Sequence, residues 1–122
     1  MLNVLAVFIG GGTGALFRYL ITQLSAKLIG LSYTGTFCAN IIGCFIIGYV
    51  FGITLQKAES ISPVLKLFIT TGFLGGLTTF STFALESICF LKDGKWIHFA
   101  IYILASIILG LTAAYSGFML TK

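Results

Sequence analysis

The few charged residues of this chain are spaced so that four long stretches carry none. Charge is confined to Arg18, Lys27, Lys57, Lys66, Lys92, Lys95, Lys122, Glu59, Glu86 and Asp93, leaving residues 1–17, 28–56, 67–85 and 96–121 uncharged. A helix that crosses a bilayer needs about 20 mostly apolar residues. Each run meets that length, the first by continuing past Arg18 to Leu24. Charged residues make up 8% of the chain and hydrophobic ones 58%, with a mean hydropathy of +1.10. Soluble domains carry roughly 25% charged residues, so this chain has too few to cover a water-facing surface. The pattern predicts an all-α membrane protein, one domain over residues 1–122, with spans at about 3–24, 33–55, 65–90 and 96–119. The connectors 25–32, 56–64 and 91–95 are short, and the second holds the only proline, Pro63. Almost nothing is expected outside the bilayer, so function is expected within it, in a multi-pass protein of the cell inner (plasma) membrane.

Lysine and arginine bias between loops normally sets orientation. Four spans place both termini and connector 56–64 on one face, with Lys57, Lys66 and Lys122; the other face has Lys27, Lys92 and Lys95. Three against three gives no preferred orientation. Either a weak bias is hidden by small numbers, or copies insert both ways and pair antiparallel. The second arrangement would supply the inverted symmetry that many transporters obtain from internal repeats. The net charge of +4 is scattered singly, which suits lipid head-group anchors and not a nucleic-acid surface. Residues 1–18 lack the basic start of a signal peptide and precede three further spans. Cys38, Cys44 and Cys89 lie in apolar runs without metal-ligand spacing, and are expected as reduced core residues.

Gly10, Gly12 and Ala15 fit the spacing of a dinucleotide-binding loop, but no acid follows until Glu59. Gly10, Gly11 and Gly14 instead suit close helix packing, and Gly48 and Gly52 repeat that spacing in the second span. Arg18 and Glu86 are ionisable residues inside spans of like direction, so they fall toward one face and are candidates for a structural ion pair; the alternative is that each snorkels to the interface. His98, at the start of span four, suits an interfacial place. Asn40 carries amide donors that lipid cannot satisfy, which makes it either interhelical glue or a pore-lining donor for an anion.

The most informative stretch is Gly72-Phe73-Leu74-Gly75-Gly76-Leu77-Thr78-Thr79-Phe80-Ser81-Thr82-Phe83. Adjacent glycines followed by two threonines make a poor helix, and a break there frees carbonyls that protein or water must cover. Such carbonyls can coordinate a cation. Gly75 and Thr78 lie near mid-span, the depth at which an antiparallel two-fold axis would bring two copies together. Beyond the break, Phe80 and Phe83 share a face beside a polar stripe of Thr79, Thr82 and Glu86. The rings are either packing or, through their electropositive edges, part of a path for a small anion.

These residues resemble the CrcB/Fluc family of fluoride channels. The resemblance covers the whole chain: the Gly-rich first span ending in Arg18-Tyr19, Asn40 in span two and the long motif of span three. It implies an antiparallel, dual-topology homodimer that passively exports fluoride, with a structural sodium ion at its centre. By the same resemblance the sodium ligands are the carbonyls of Gly75 and Thr78. The pore phenylalanines are Phe80 and Phe83, the pore asparagine is Asn40, and Ser81, Thr82, Tyr102 and Ser106 are pore-lining polar positions. Other classes fit less well. A small multidrug exporter resembles its family through a glutamate in the first span, and this chain has no acid before Glu59. A non-transporting scaffold leaves the polar stripe and broken span unexplained. No nucleophile–base pair or metal cluster suggests an enzyme.

Overall fold

Arg18, Asn40 and Glu86 lie inside helices, at positions set by where each helix starts, stops and breaks. The computed structural model describes residues 1–57 and 61–122; residues 58–60, with Glu59 and part of connector 56–64, lie outside the described residues. Every described element is helical: α1 (Leu2–Ile29), α2 (Ser32–Gln56), α3 (Pro63–Leu67), a π-helical segment (Phe68–Leu74), α4 (Gly75–Leu77), α5 (Phe80–Lys92) and α6 (Trp96–Met119). Four stretches are long and apolar enough to cross a membrane, the third being the composite Pro63–Lys92. The glycine run of α1 lies inside a continuous helix, and no strand precedes it, so the dinucleotide reading has no structural counterpart.

Helix ends follow local chemistry. α1 continues beyond the expected 24 because the chain does not turn until Gly30, whose φ of 79° places it in the left-handed region and whose N–H closes on the Ala26 carbonyl at 3.0 Å. Residues 25–29, expected in a connector, are therefore helical, and the Ser25 and Thr34 hydroxyls join α1 to α2 across the turn. Pro63 occupies the first turn of α3, where its missing N–H costs nothing, and the Ser62 hydroxyl accepts from the Leu65 N–H at 3.2 Å.

The bundle is closed by backbone approach more than by large side chains. A Cβ on Gly14 would strike the Phe73 carbonyl, and one on Gly76 would strike the Gly11 carbonyl, so α1 and the third span meet main chain to main chain. Gly48 against the Ala114 carbonyl and Gly117 against the Phe45 carbonyl do the same for α2 and α6. The expected close packing through Gly10, Gly14, Gly48 and Gly52 is thus realised, while Gly11 contributes its carbonyl as the wall. The fully enclosed centre is small: Ala39, Leu74 and Leu77, ringed by Ile21, Ile46, Ile69 and Phe73. The outward faces bear exposed Phe8, Leu20, Phe51 and Ile108, the apolar surface a bilayer requires.

The π-helical turn was not legible in advance. It lies where the third span presses on Gly10 and Gly14 of α1, and π turns recur at functional sites. The break after it was expected. Thr78 (φ −86°, ψ 154°) and Thr79 (φ −150°, ψ 124°) are extended, at the midpoint of the 30-residue span Pro63–Lys92.

Candidate ion pathway

An interrupted helix in a membrane must find partners for the groups it frees. Asn40 clamps the residue at the break through two bonds. Its Nδ2 donates to the Thr79 carbonyl at 3.1 Å, and its Oδ1 accepts from the Thr79 N–H at 2.7 Å. In a continuous helix that N–H would go to the Gly75 carbonyl, which is therefore left without its helical donor. The Thr82 N–H would likewise go to Thr78, but it is taken by the Thr79 hydroxyl at 3.2 Å, which caps α5. The carbonyls of Gly75 and Thr78 are thus among those that the break releases. The Gly76 carbonyl between them accepts from Arg18 Nε at 3.0 Å. The Thr78 hydroxyl donates back to the Leu74 carbonyl at 2.8 Å.

Beside the break lies a cleft of about 450 Å³ lined by Asn40, Gly75, Thr78, Phe80, Phe83 and Ser106, among others. The Ser106 Oγ is buried without a partner among the described residues, an uncommitted hydroxyl in a polar-poor site. Phe80 is 80% exposed and its ring centroid is 5.8 Å from that of Phe83. Phe83 in turn stands 5.2 Å from Tyr102, and this ring pair separates the central cleft from a second one of about 210 Å³ that Tyr102 lines with Tyr33, Phe90 and His98. At the opposite end a third cleft of about 570 Å³ shares Ile47 and Thr70 with the central one and ends at Thr54, Lys66 and Phe118. The central and third clefts, joined through these shared residues, form a furrow along α2, α6 and the third span.

The structure brings Asn40, Phe80, Phe83, Ser106, Gly75 and Thr78 into one cleft and puts Tyr102 at its edge. It does not bring Ser81 or Thr82 to line any of the three; Ser81 is exposed and within 3.3 Å of the Thr79 hydroxyl, and Thr82 accepts from that hydroxyl at 3.2 Å. The candidate pair of Arg18 and Glu86 is not formed. Arg18 takes the carbonyl at the break, whereas Glu86 accepts from the Thr36 hydroxyl at 2.9 Å and the Tyr102 hydroxyl at 2.6 Å. Two hydroxyl donors thus satisfy the half-buried Glu86 carboxylate. All three cysteines are free, but Cys38 and Cys89 are exposed on the outer surface and not in the core; Cys44 lines the central cleft. Thr36 escaped sequence reasoning although it lies four residues before Asn40, on the same helical face.

Fold and site together define a small multi-pass membrane protein whose polar groups gather around a break in one span. The chain belongs to the family described as CrcB-like protein, Camphor Resistance (CrcB), whose model matches residues 5–118. It is 44% identical over 124 residues to a fluoride-specific ion channel FluC of Campylobacter jejuni subsp. jejuni, covering 100% of both chains. A FluC of Flavobacterium psychrophilum is 39% identical, over 100% of this chain and 98% of its own length. One from Rhizobium etli is 37% identical, again over 100% of this chain and 98% of the relative.

Proposed function

We propose that this protein is a fluoride-selective channel of the inner membrane, not an enzyme, which lets fluoride leave the cytoplasm passively after it has entered as neutral HF. One observation carries the ion's identity: relatives at 37–44% identity across the full chain are named fluoride-specific ion channels. The geometry is compatible with that ion. Fluoride is compact and strongly hydrated, so its path needs close donors but no fixed cation that would trap it. The central cleft offers the Ser106 hydroxyl, the remaining Asn40 amide hydrogen and the edges of Phe80 and Phe83, and no cationic side chain among the described residues lines it.

The working unit is an antiparallel homodimer embedded in lipid. Support comes from the three-to-three lysine balance and from the exposure of Gly75 and Phe80 on one protomer. A sodium ion at the dimer centre fits the donor set. The freed carbonyls of Gly75 and Thr78 are hard oxygen ligands, and two copies would present four, a set suited to a hard cation. Such an ion would neutralise carbonyl dipoles turned toward one another. The test is efflux from vesicles holding the purified protein and loaded with potassium fluoride or potassium chloride, with potassium released by an ionophore. Fluoride should leave and chloride should stay; no efflux, or equal efflux of both, overturns the assignment.

A further inference from the structure

Among the described residues, Lys66 is the only charged side chain lining any of the three clefts, and it stands at the end of the furrow on the face that holds both termini. Its place is built. Ser62 caps α3, Pro63 fixes the first turn, and the Thr70 hydroxyl donates to the Lys66 carbonyl at 2.8 Å. Lys66 is exposed, so its ammonium keeps its water. The two acids among the described residues, Glu86 and Asp93, both belong to α5 or its C-cap, toward the other face; Glu59, seven positions before Lys66 in sequence, lies outside the described residues.

Resting on the fluoride-channel reading, we propose that Lys66 is an anion-recruiting residue at this mouth. A hydrated cation at the rim of a low-dielectric cleft raises the local anion concentration and the rate of entry. It does not hold the ion, because the route inward from Lys66 to Ser106 is lined by uncharged groups alone, among them Thr70, Thr54 and Tyr115. In an antiparallel pair each membrane face would receive one such mouth.

Recruitment through water carries its own signature. The screening length is about 30 Å at 0.01 M salt and about 3 Å at 1 M, so the contribution of Lys66 should vanish as impermeant salt is added. Initial fluoride efflux from vesicles at low fluoride is the readout. At 0.01 M, Lys66→Gln should lower it about threefold and Lys66→Glu about tenfold, the first below and the second at the low end of the roughly 10- to 1,000-fold range for focused fields. Lys66→Arg should match wild type, and at 1 M all four proteins should converge. Lys57→Gln removes the same charge from the same face but outside the clefts, and should lower the rate by less than Lys66→Gln. Wild-type rates in Lys66→Gln and Lys66→Glu at 0.01 M would overturn the proposal, as would a deficit that persists at 1 M, which would mark Lys66 as structural. Absence of fluoride efflux in wild type would instead remove the channel reading, and this inference with it.

Discussion

Replacing Asn40 by leucine tests whether one side chain holds the broken span together. The substitution keeps the approximate side-chain shape but removes both bonds to Thr79, at 3.1 and 2.7 Å. The Thr79 N–H then has no partner at a depth where lipid offers none, and the Thr79 carbonyl keeps only the first intrahelical bond of α5. An unsatisfied buried group costs about 1–3 kcal/mol, whereas hydrogen bonds between membrane helices average nearer 0.6 kcal/mol because the alternative state also finds partners. One unsatisfied group and one further lost bond, in a segment that relaxes partly, should cost about 2–4 kcal/mol, a roughly 30- to 900-fold loss in the folded-to-unfolded ratio. Asn40→Asp should cost less, about 1–3 kcal/mol, since it still accepts from the Thr79 N–H while losing the donor and setting an acceptor against the carbonyl. Equilibrium unfolding in mixed micelles gives the order wild type, Asp, Leu. If Asn40→Leu unfolds at the wild-type midpoint while fluoride efflux is lost, Asn40 acts on the ion alone and the clamp is refuted.

Neighbouring glycines at the break should respond in opposite ways. A Cβ on Gly75 meets nothing within 4 Å, so Gly75→Ala should leave the fold of one protomer unharmed and add up to about 1 kcal/mol of helix propensity. On Gly76 it strikes the Gly11 carbonyl and comes within 2.9 Å of the Ala15 nitrogen, so Gly76→Ala should lose about 1–3 kcal/mol to overpacking. Thermal unfolding distinguishes them, and equal shifts would contradict the contact. Dual topology predicts that a single cysteine placed by Lys122→Cys, with the native three replaced, is labelled from both membrane faces in comparable amounts. Labelling from one face alone would rule out the antiparallel pair.

The spans were legible because charge is costly to hide in hydrocarbon, and Lys27, Lys57, Lys92 and Lys95 therefore mark their ends. Their ends were less so. Gly30 marks the stop of α1, but nothing local says that residues 25–29 stay helical until it is reached. The break was readable from Gly75-Gly76 and Thr78-Thr79, since glycine and threonine both disfavour continued helix. The groups that repair it were not. Asn40 acts across 39 positions and Arg18 across 58, and such pairings leave no periodic trace. Opposite charges toward one face suggested an Arg18–Glu86 pair, yet the broken helix offers Arg18 an unpaired carbonyl, and Thr36 and Tyr102 already satisfy the carboxylate. The cysteines misled because small apolar residues suit a lipid-facing surface as well as a core.

The central claim is that fluoride passes beside the break, along the rings of Phe80 and Phe83. Its most direct test is fluoride efflux through assembled Phe83→Ile protein, with Phe80→Ile alongside. Isoleucine keeps most of the apolar volume and removes the ring quadrupole, at a stability cost of about 1–3 kcal/mol that an assembled protein tolerates. If the ring edges line the path, both variants remain folded and dimeric while efflux falls by orders of magnitude. Wild-type efflux in either correctly assembled variant would make that ring a packing residue, and in both would move the ion's route out of the cleft.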